Sequence, residues 1–329
     1  MKTVHLYLAS GSSQAGGVRH VILSEDGHFE EKEFLAQGNT QVVHAEGGKL
    51  YTLWREPDAS RHSKLNIYEL EEDGTIGGLL ESFDTRGNRA NFLFPDPADR
   101  RVYVTNFGSG SVFVTPDICV PFEGRSVVPG KQDSSHTHFV LPTPDGKYLV
   151  IADLGTDKVH LFTRDMKEVY AVKVPAGRGP RQLVWGDDGR TLFCNTELGC
   201  TVEVLTYENG TLTHRRSYST QGEGYRGELS GAVMRKRGDY LYVSCRGSST
   251  IAAFEIRGDE LAPAGYYGSL GNRPRDINIW NDILIMADEK SHRVTLHRIL
   301  QNGGLQAMDG WLDIDTPVGI AVGADADRA

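Results

Sequence analysis

The sequence predicts an all-β fold, a seven-bladed β-propeller of four-stranded antiparallel blades. Three observations carry this: a repeat period in the forties, several short apolar strands per period, and two chain ends that each supply part of one unit. Two units align over their whole length. His138-Phe-Val-Leu-Pro-Thr-Pro-Asp-Gly146 is matched by Arg181-Gln-Leu-Val-Trp-Gly-Asp-Asp-Gly189. Each continues through an apolar strand (Tyr148–Ala152, Thr191–Asn195) to a third strand at Val159 or Val202. Weaker copies are anchored at Thr40, Asn91, Ser230 and Arg275, so successive anchors are 51, 47, 43, 49 and 45 residues apart.

Taken in order, each unit has the same logic. A polar anchor opens the first strand, an Asp-Gly-type turn reverses the chain, and a polar break precedes the third strand. Asp145 and Asp188 read as turn-formers, because a short carboxylate caps the backbone two residues on. Six units are complete. Thr316–Val322, 41 residues after Arg275, supplies one further first strand, and Val4–Leu8 with Val18–Leu23 supplies its missing partners. The ends are therefore expected to share a blade, which closes the ring and protects its edges. Residues 1–329 read as one propeller domain, with 323–329 as a loose tail.

Composition narrows the function. A net charge of −9 argues against nucleic acid, which requires a basic stripe. No stretch approaches the roughly 18 apolar residues of a membrane span, and the N-terminus reads as a strand rather than a signal peptide. Cys119, Cys194, Cys200 and Cys245 show neither CxxC nor zinc-type spacing, so a cytoplasmic protein with reduced thiols is expected. The expected quaternary state is a monomer or weak homo-oligomer.

Two positions per unit should face the axis of a propeller. One is the anchor: Asn91, His138, Arg181, Ser230, Arg275. The other lies five residues before the third-strand Val or Ile: Phe107, Leu154, Glu197, Arg246, Glu289. The chemically capable members fall in successive blades. Guanidinium forks match carboxylate or phosphate oxygens, so this wall suits a small anionic molecule. His138 is a candidate base near neutral pH, and is expected at the channel mouth. Glu197 is either a second base or the group that holds Arg181 or a water in place. The competing reading is structural, since propellers also use such residues as clamps between blades. His136 is a candidate substrate contact or metal partner, although no third ligand shares its spacing. His160, His292 and His297 are expected at the surface. No cofactor or metal is expected, and activity should survive EDTA.

Several segments also resemble a known family. Ser135–Val159, Gly177-Arg-Gly-Pro-Arg-Gln-Leu183, Glu197-Leu198, Ser244-Cys-Arg-Gly-Ser-Ser-Thr-Ile251 and Asn272-Arg-Pro-Arg-Asp-Ile277 are similar to the seven-bladed lactonases. That family includes propeller-type 6-phosphogluconolactonase and the fungal 3-carboxy-cis,cis-muconate lactonizing enzyme. The resemblance implies catalytic roles for His138, Arg181, Glu197 and Arg246; Arg275, Asn91 and Glu289, from their repeat positions, and His136, from its place beside His138, are expected as substrate contacts. It implies hydrolysis of a sugar-acid lactone in carbohydrate metabolism. The alternatives are a carboxymuconate-type cycloisomerase and a non-catalytic binding scaffold. Departures from the family pattern are Gln182 in place of His, Thr196 and Cys245 in place of Asn, Gly231 in place of an acid, and Asn91 in place of His.

Overall fold

The computed structural model describes residues 2–326. Among the described residues 28 strands form seven four-stranded sheets. Six sheets are consecutive meanders, joined in chain order. The seventh pairs the last strand, Pro317–Asp325, with the first, Thr3–Ser10, followed by Gly17–Ser24 and Phe29–Ala36. Tyr7 lies opposite Ala321 and Leu8 opposite Ile320, so the chain ends share one sheet as the repeat requires. The strand runs on to Asp325, so residues 323–325 belong to the sheet rather than to a tail. Residues 327–329 of the expected tail lie outside the described residues.

Contacts divide the chain into two compact units. Residues 1–90 with 268–329 carry three sheets, and residues 91–267 carry four. Within the second unit, alternation along each strand sends one face of a sheet onto its neighbour. Phe139, Val150, Ala152 and Leu161 pack with Leu183, Leu192, Cys194 and Leu205 of the next sheet. The Val, Leu and Phe side chains among them each contribute roughly 1.5–3 kcal/mol by leaving water. The turns behave as read. Asp145 accepts the Lys147 N–H at 3.2 Å, and Asp188 accepts those of Arg190 at 2.9 Å and Thr191 at 2.8 Å. Gly146 and Gly189 follow with φ of 70° and 61°, the left-handed region that favours glycine.

Two expectations about histidines fail. His160 and His297 are buried, and only His292 is exposed. Third strands are covered on both faces by adjoining sheets, and a polar side chain there is tolerated when it finds a partner. His160 does so: its Nδ1 lies 2.8 Å from Glu168 Oε1. The four cysteines are all free thiols.

Candidate functional site

In five of the meander sheets the first strand carries a local irregularity at its opening. Thr137 pairs with Asp153 and Phe139 with Ala152, which leaves His138 unmatched; Pro180 pairs with Thr196 and Gln182 with Asn195, which leaves Arg181 unmatched. A bulge of this kind re-aims the side chain of the extra residue. Its backbone must still be satisfied, and Asn195 Oδ1 accepts the Gln182 N–H at 2.9 Å in place of a ladder carbonyl. The anchors His138, Arg181 and Arg275 are these bulged residues. In two other sheets the sequence register is offset. The irregularity falls at Gln41 rather than Thr40, and at Ala232 and Val233 rather than Ser230.

Glu197 and Arg246 stand where second strands end. Glu197 N donates to Gly179 O (2.8 Å) and Arg246 N to Ser230 O (2.7 Å), each closing a strand pair of its own sheet, while Gly231 N donates to Glu197 O (2.8 Å) and joins the two neighbouring sheets. Gly231 is required for that approach, because a Cβ there would lie 2.3 Å from Thr196 O. The departure from the family pattern at this position thus has a steric reason.

These elements bring all four expected catalytic residues together within the second unit. Glu197 Oε2 accepts from Arg181 Nε at 3.0 Å, and Glu197 Oε1 lies 3.0 Å from Arg246 Nη2. Both guanidiniums are further anchored on backbone, Arg181 Nη1 on Ala232 O and Arg246 Nη2 on Gly231 O (3.0 Å). Arg246 Nε is buried and has no partner among the described residues. His138 Nε2 sits 3.9 Å from Glu197 Oε2, beyond direct hydrogen bonding. His138, Arg181 and Arg246 are only 7%, 8% and 7% exposed, so His138 is enclosed rather than standing at an open mouth. Glu197, with 22% of its side chain exposed, is the open side of the cluster.

The electrostatics follow from this enclosure. Burial, and then the Arg181 charge, lower the His138 pKa well below its usual value, and Glu197 offsets them only in part. The imidazole is therefore neutral at pH 7. Burial alone would push the Glu197 carboxyl up, but Arg246 and Arg181 overrule it and hold it at about 2. Two guanidiniums and one carboxylate leave the cluster with one net positive charge.

Phe107 was placed on the axis by the repeat but given no role. Its ring meets His138 edge-on (5.6 Å) and stacks on His136 (4.6 Å), while its carbonyl accepts from His136 Nδ1 at 2.8 Å. Asn91 Oδ1 accepts from Thr105, and its Nδ2 is buried with no partner among the described residues. Arg275 and Glu289 belong to the other compact unit. There Arg275 Nη2 donates to Gln41 Oε1 (3.3 Å), and Arg275 Nη1 and Arg273 Nε each lie 3.9 Å from Glu289 Oε2. Among the described residues no three His, Cys, Asp or Glu side chains group as metal ligands.

Comparison with known proteins gives this geometry a family. An uncharacterized protein of Staphylococcus saprophyticus is 29% identical over 262 residues, 73% of this chain and 75% of that protein. The uncharacterized protein YwcC of Lactococcus lactis is 29% identical over 283 residues, 79% of this chain and 80% of its own. Among solved structures, the periplasmic gluconolactonase PpgL of Pseudomonas aeruginosa superposes with a TM-score of 0.89 at 19% identity, covering 98% of this chain and 99% of that one. Virginiamycin B lyase of Staphylococcus aureus superposes more loosely, with a TM-score of 0.60 at 14% identity over 82% of this chain and 83% of that one. These likenesses establish the fold, and one fold hosts several chemistries. The family model described as "Lactonase, 7-bladed beta-propeller" matches residues 5–322. The seven sheets are its blades, and the chain belongs to this family of propeller lactonases.

Proposed function

We propose that this protein hydrolyses a sugar-acid lactone, with His138 as the general base and Arg181 and Arg246 as the oxyanion site. The observation that carries this reading is the pairing of an enclosed neutral imidazole with two guanidiniums bridged by one carboxylate. His138 Nε2 accepts a proton from water as the water oxygen bonds to the lactone carbonyl carbon. Negative charge then develops on the carbonyl oxygen, where fixed donors act most strongly. Arg246 Nε, buried and without a partner among the described residues, is the donor available to receive it. As the intermediate collapses, the ring C–O bond breaks and the departing alkoxide takes the proton back from His138. Arg181 and burial both destabilise the imidazolium, so it returns that proton readily.

Glu197 acts through the arginines in this scheme. Its carboxylate is committed to two guanidiniums, and at about 2 it is a poor base at neutral pH. For the same reason it has no proton to deliver in a cycloisomerisation. Sugar lactones and their phosphorylated forms are the substrate class, in keeping with the gluconolactonase among similar folds. The test is a panel of aldonolactones, phosphorylated aldonolactones and muconate-type diacids, followed by pH-stat or ultraviolet absorbance, with wild type and His138→Ala side by side. Turnover of a lactone by wild type, with a loss of about 10²-fold or more in kcat in the variant, supports the reading. Turnover of a diacid alone, or an unimpaired variant, overturns it.

A further inference from the structure

Within the unit of residues 1–90 and 268–329, a cavity of about 440 Å³ is lined by two neighbouring sheets, the one shared by the chain ends and the one of residues 40–88. The bulge at Gln41 opens the strand Thr40–Glu46, and the cavity sits at the opposite end of that strand, beside residues 45–48. His5, only 4% exposed, forms part of its wall. His5 Nδ1 lies 2.8 Å from His20 Nε2, and His20 Nδ1 lies 3.2 Å from Glu33 Oε1, which also accepts the Ile76 N–H at 2.7 Å. Burial lowers the pKa of both imidazoles. His20 lowers that of His5 further, and Glu33 offsets only part of the effect at His20, so both rings are neutral at pH 7. A neutral imidazole carries one N–H. The Glu33 carboxylate claims that of His20 at Nδ1, so His20 Nε2 accepts and His5 donates from its Nδ1. The lone pair of His5 is thereby left on Nε2, which hydrogen-bonds to no described residue.

The surroundings hold this ring in place. Tyr7 stacks on His20 with ring centroids 5.0 Å apart, and its hydroxyl donates to Gly74 O at 2.7 Å. Gly74 has a φ of 79°, and a Cβ there would collide with the His5 ring, so only glycine lets the turn close over the imidazole. The rest of the wall is apolar or acidic. Leu70 and Val322 give it apolar surface, Glu46, Glu71 and Glu72 give it negative charge, and no Lys or Arg lines it. Glu46 faces His44 at 3.3 Å, whereas Glu71 and Glu72 pair with no described cation. Lys32, the cation that bears on His5, is held by Glu30 at 2.5 Å.

We propose that this cavity binds a primary ammonium group carried on a short apolar stem. An ammonium has three donors and no acceptor, which matches a wall whose uncommitted polar atoms, His5 Nε2 and the glutamate oxygens, are all acceptors. The stem leaves water against Leu70 and Val322, and the volume is that of a small-molecule site. An anion would meet like charge here. A metal ion would lack three grouped ligands. The same head group is carried by free alkylamines and by lysine side chains. The site is defined by binding alone and does not rest on lactone chemistry at His138.

The test is calorimetric titration at pH 7 and low ionic strength with n-pentylamine, n-pentanol, pentanoate and a lysine blocked at both backbone ends. It is run on wild type, His5→Phe, the double variant Glu71→Gln/Glu72→Gln, and His138→Ala, with circular dichroism as the check on folding. Wild type should bind pentylamine saturably, and pentanol and pentanoate about tenfold or more weaker. His5→Phe should weaken the amine about tenfold or more, and the double variant about threefold or more. His138→Ala should stay within about twofold of wild type. Nitrogen-15 spectra of the histidine rings should show His5 protonated on Nδ1 alone, with its Nε2 resonance moving as amine is added. Tighter binding of the blocked lysine identifies a protein segment as the source, and tighter binding of pentylamine a free amine; both support the site. If His5→Phe does not fold, the double variant, whose altered side chains are exposed, and the His5 resonance carry the test. The proposal is overturned if wild type shows no saturable amine binding, if pentanol or pentanoate matches the amine, if the double variant binds as wild type does, or if the His5 resonance does not move. Failure of every lactone assay leaves this result intact, and absence of amine binding leaves the His138 chemistry intact.

Discussion

Replacing Glu197 by Gln separates a carboxylate that positions arginines from one that acts as a base. The carboxyl sits at about 2 against an ordinary 4.5. At about 1.36 kcal/mol per pH unit, that gap corresponds to roughly 3 kcal/mol of preference for the ionised form in the folded protein. Breaking a buried ion pair by removing one partner typically costs about 3–5 kcal/mol, so two independent routes give the same size. Because the folded-state value lies below the unfolded one, the contribution is whole above about pH 4.5 and is lost as pH falls towards 2. Glu197→Gln should therefore lower stability by roughly 3 kcal/mol at pH 7, with a smaller gap at pH 3. Urea denaturation of both proteins at the two pH values, with m-values compared, measures this. Kinetics give a second readout that a purely structural loss would not move. The Glu197 charge raises the His138 pKa, so its removal should shift the acid limb of kcat/KM to lower pH. A variant within about 0.5 kcal/mol of wild type at pH 7, or an acid limb that stays put, refutes the reasoning.

Three further outcomes are expected. His138→Ala should lose about 10²-fold or more in kcat; because the ring is enclosed against Phe107, a stability loss of about 1–2 kcal/mol should accompany it, as chemical denaturation will report. Arg246→Lys should recover only part of what Arg246→Ala loses in kcat/KM for a lactone, because one ammonium can replace Nη2, which serves both Glu197 and Gly231 O, but supplies no second donor in place of the buried Nε. Asp288 has its carboxyl pushed up to about 6, chiefly by burial, so its uncharged form is favoured and its contribution, intact below about pH 3.8, is lost as pH rises through 6. Wild type should thus lose roughly 3 kcal/mol between pH 4 and pH 8 from this group, and urea midpoints of Asp288→Asn should show a flatter dependence over that range.

The repeat, and with it most of the architecture, was legible in the order of the residues. Strand length, Asp-Gly turns and polar anchors are local backbone properties, so each recurs at a spacing that can be counted. The partnership of the two chain ends was legible for the same reason, because neither end holds a whole unit. His138, Arg181, Glu197 and Arg246 could be singled out because a repeat equates positions, and equivalent positions in successive sheets become neighbours.

Tertiary structure alone decided what those neighbours do to one another. Whether Glu197 is a base or a strut depends on 3.0 Å contacts to two arginines on different sheets, and no spacing along the chain encodes them. The burial of His160 and His297 was missed because polarity predicts exposure only until a partner or an adjoining sheet removes the side chain from water. Arg275 and Glu289 share the repeat positions of the His138 cluster, yet their partners Gln41 and Arg273 lie with them in the other compact unit. Periodicity describes the backbone of one unit at a time, whereas charge balance and desolvation are properties of side chains that only folding brings within a few ångströms of each other.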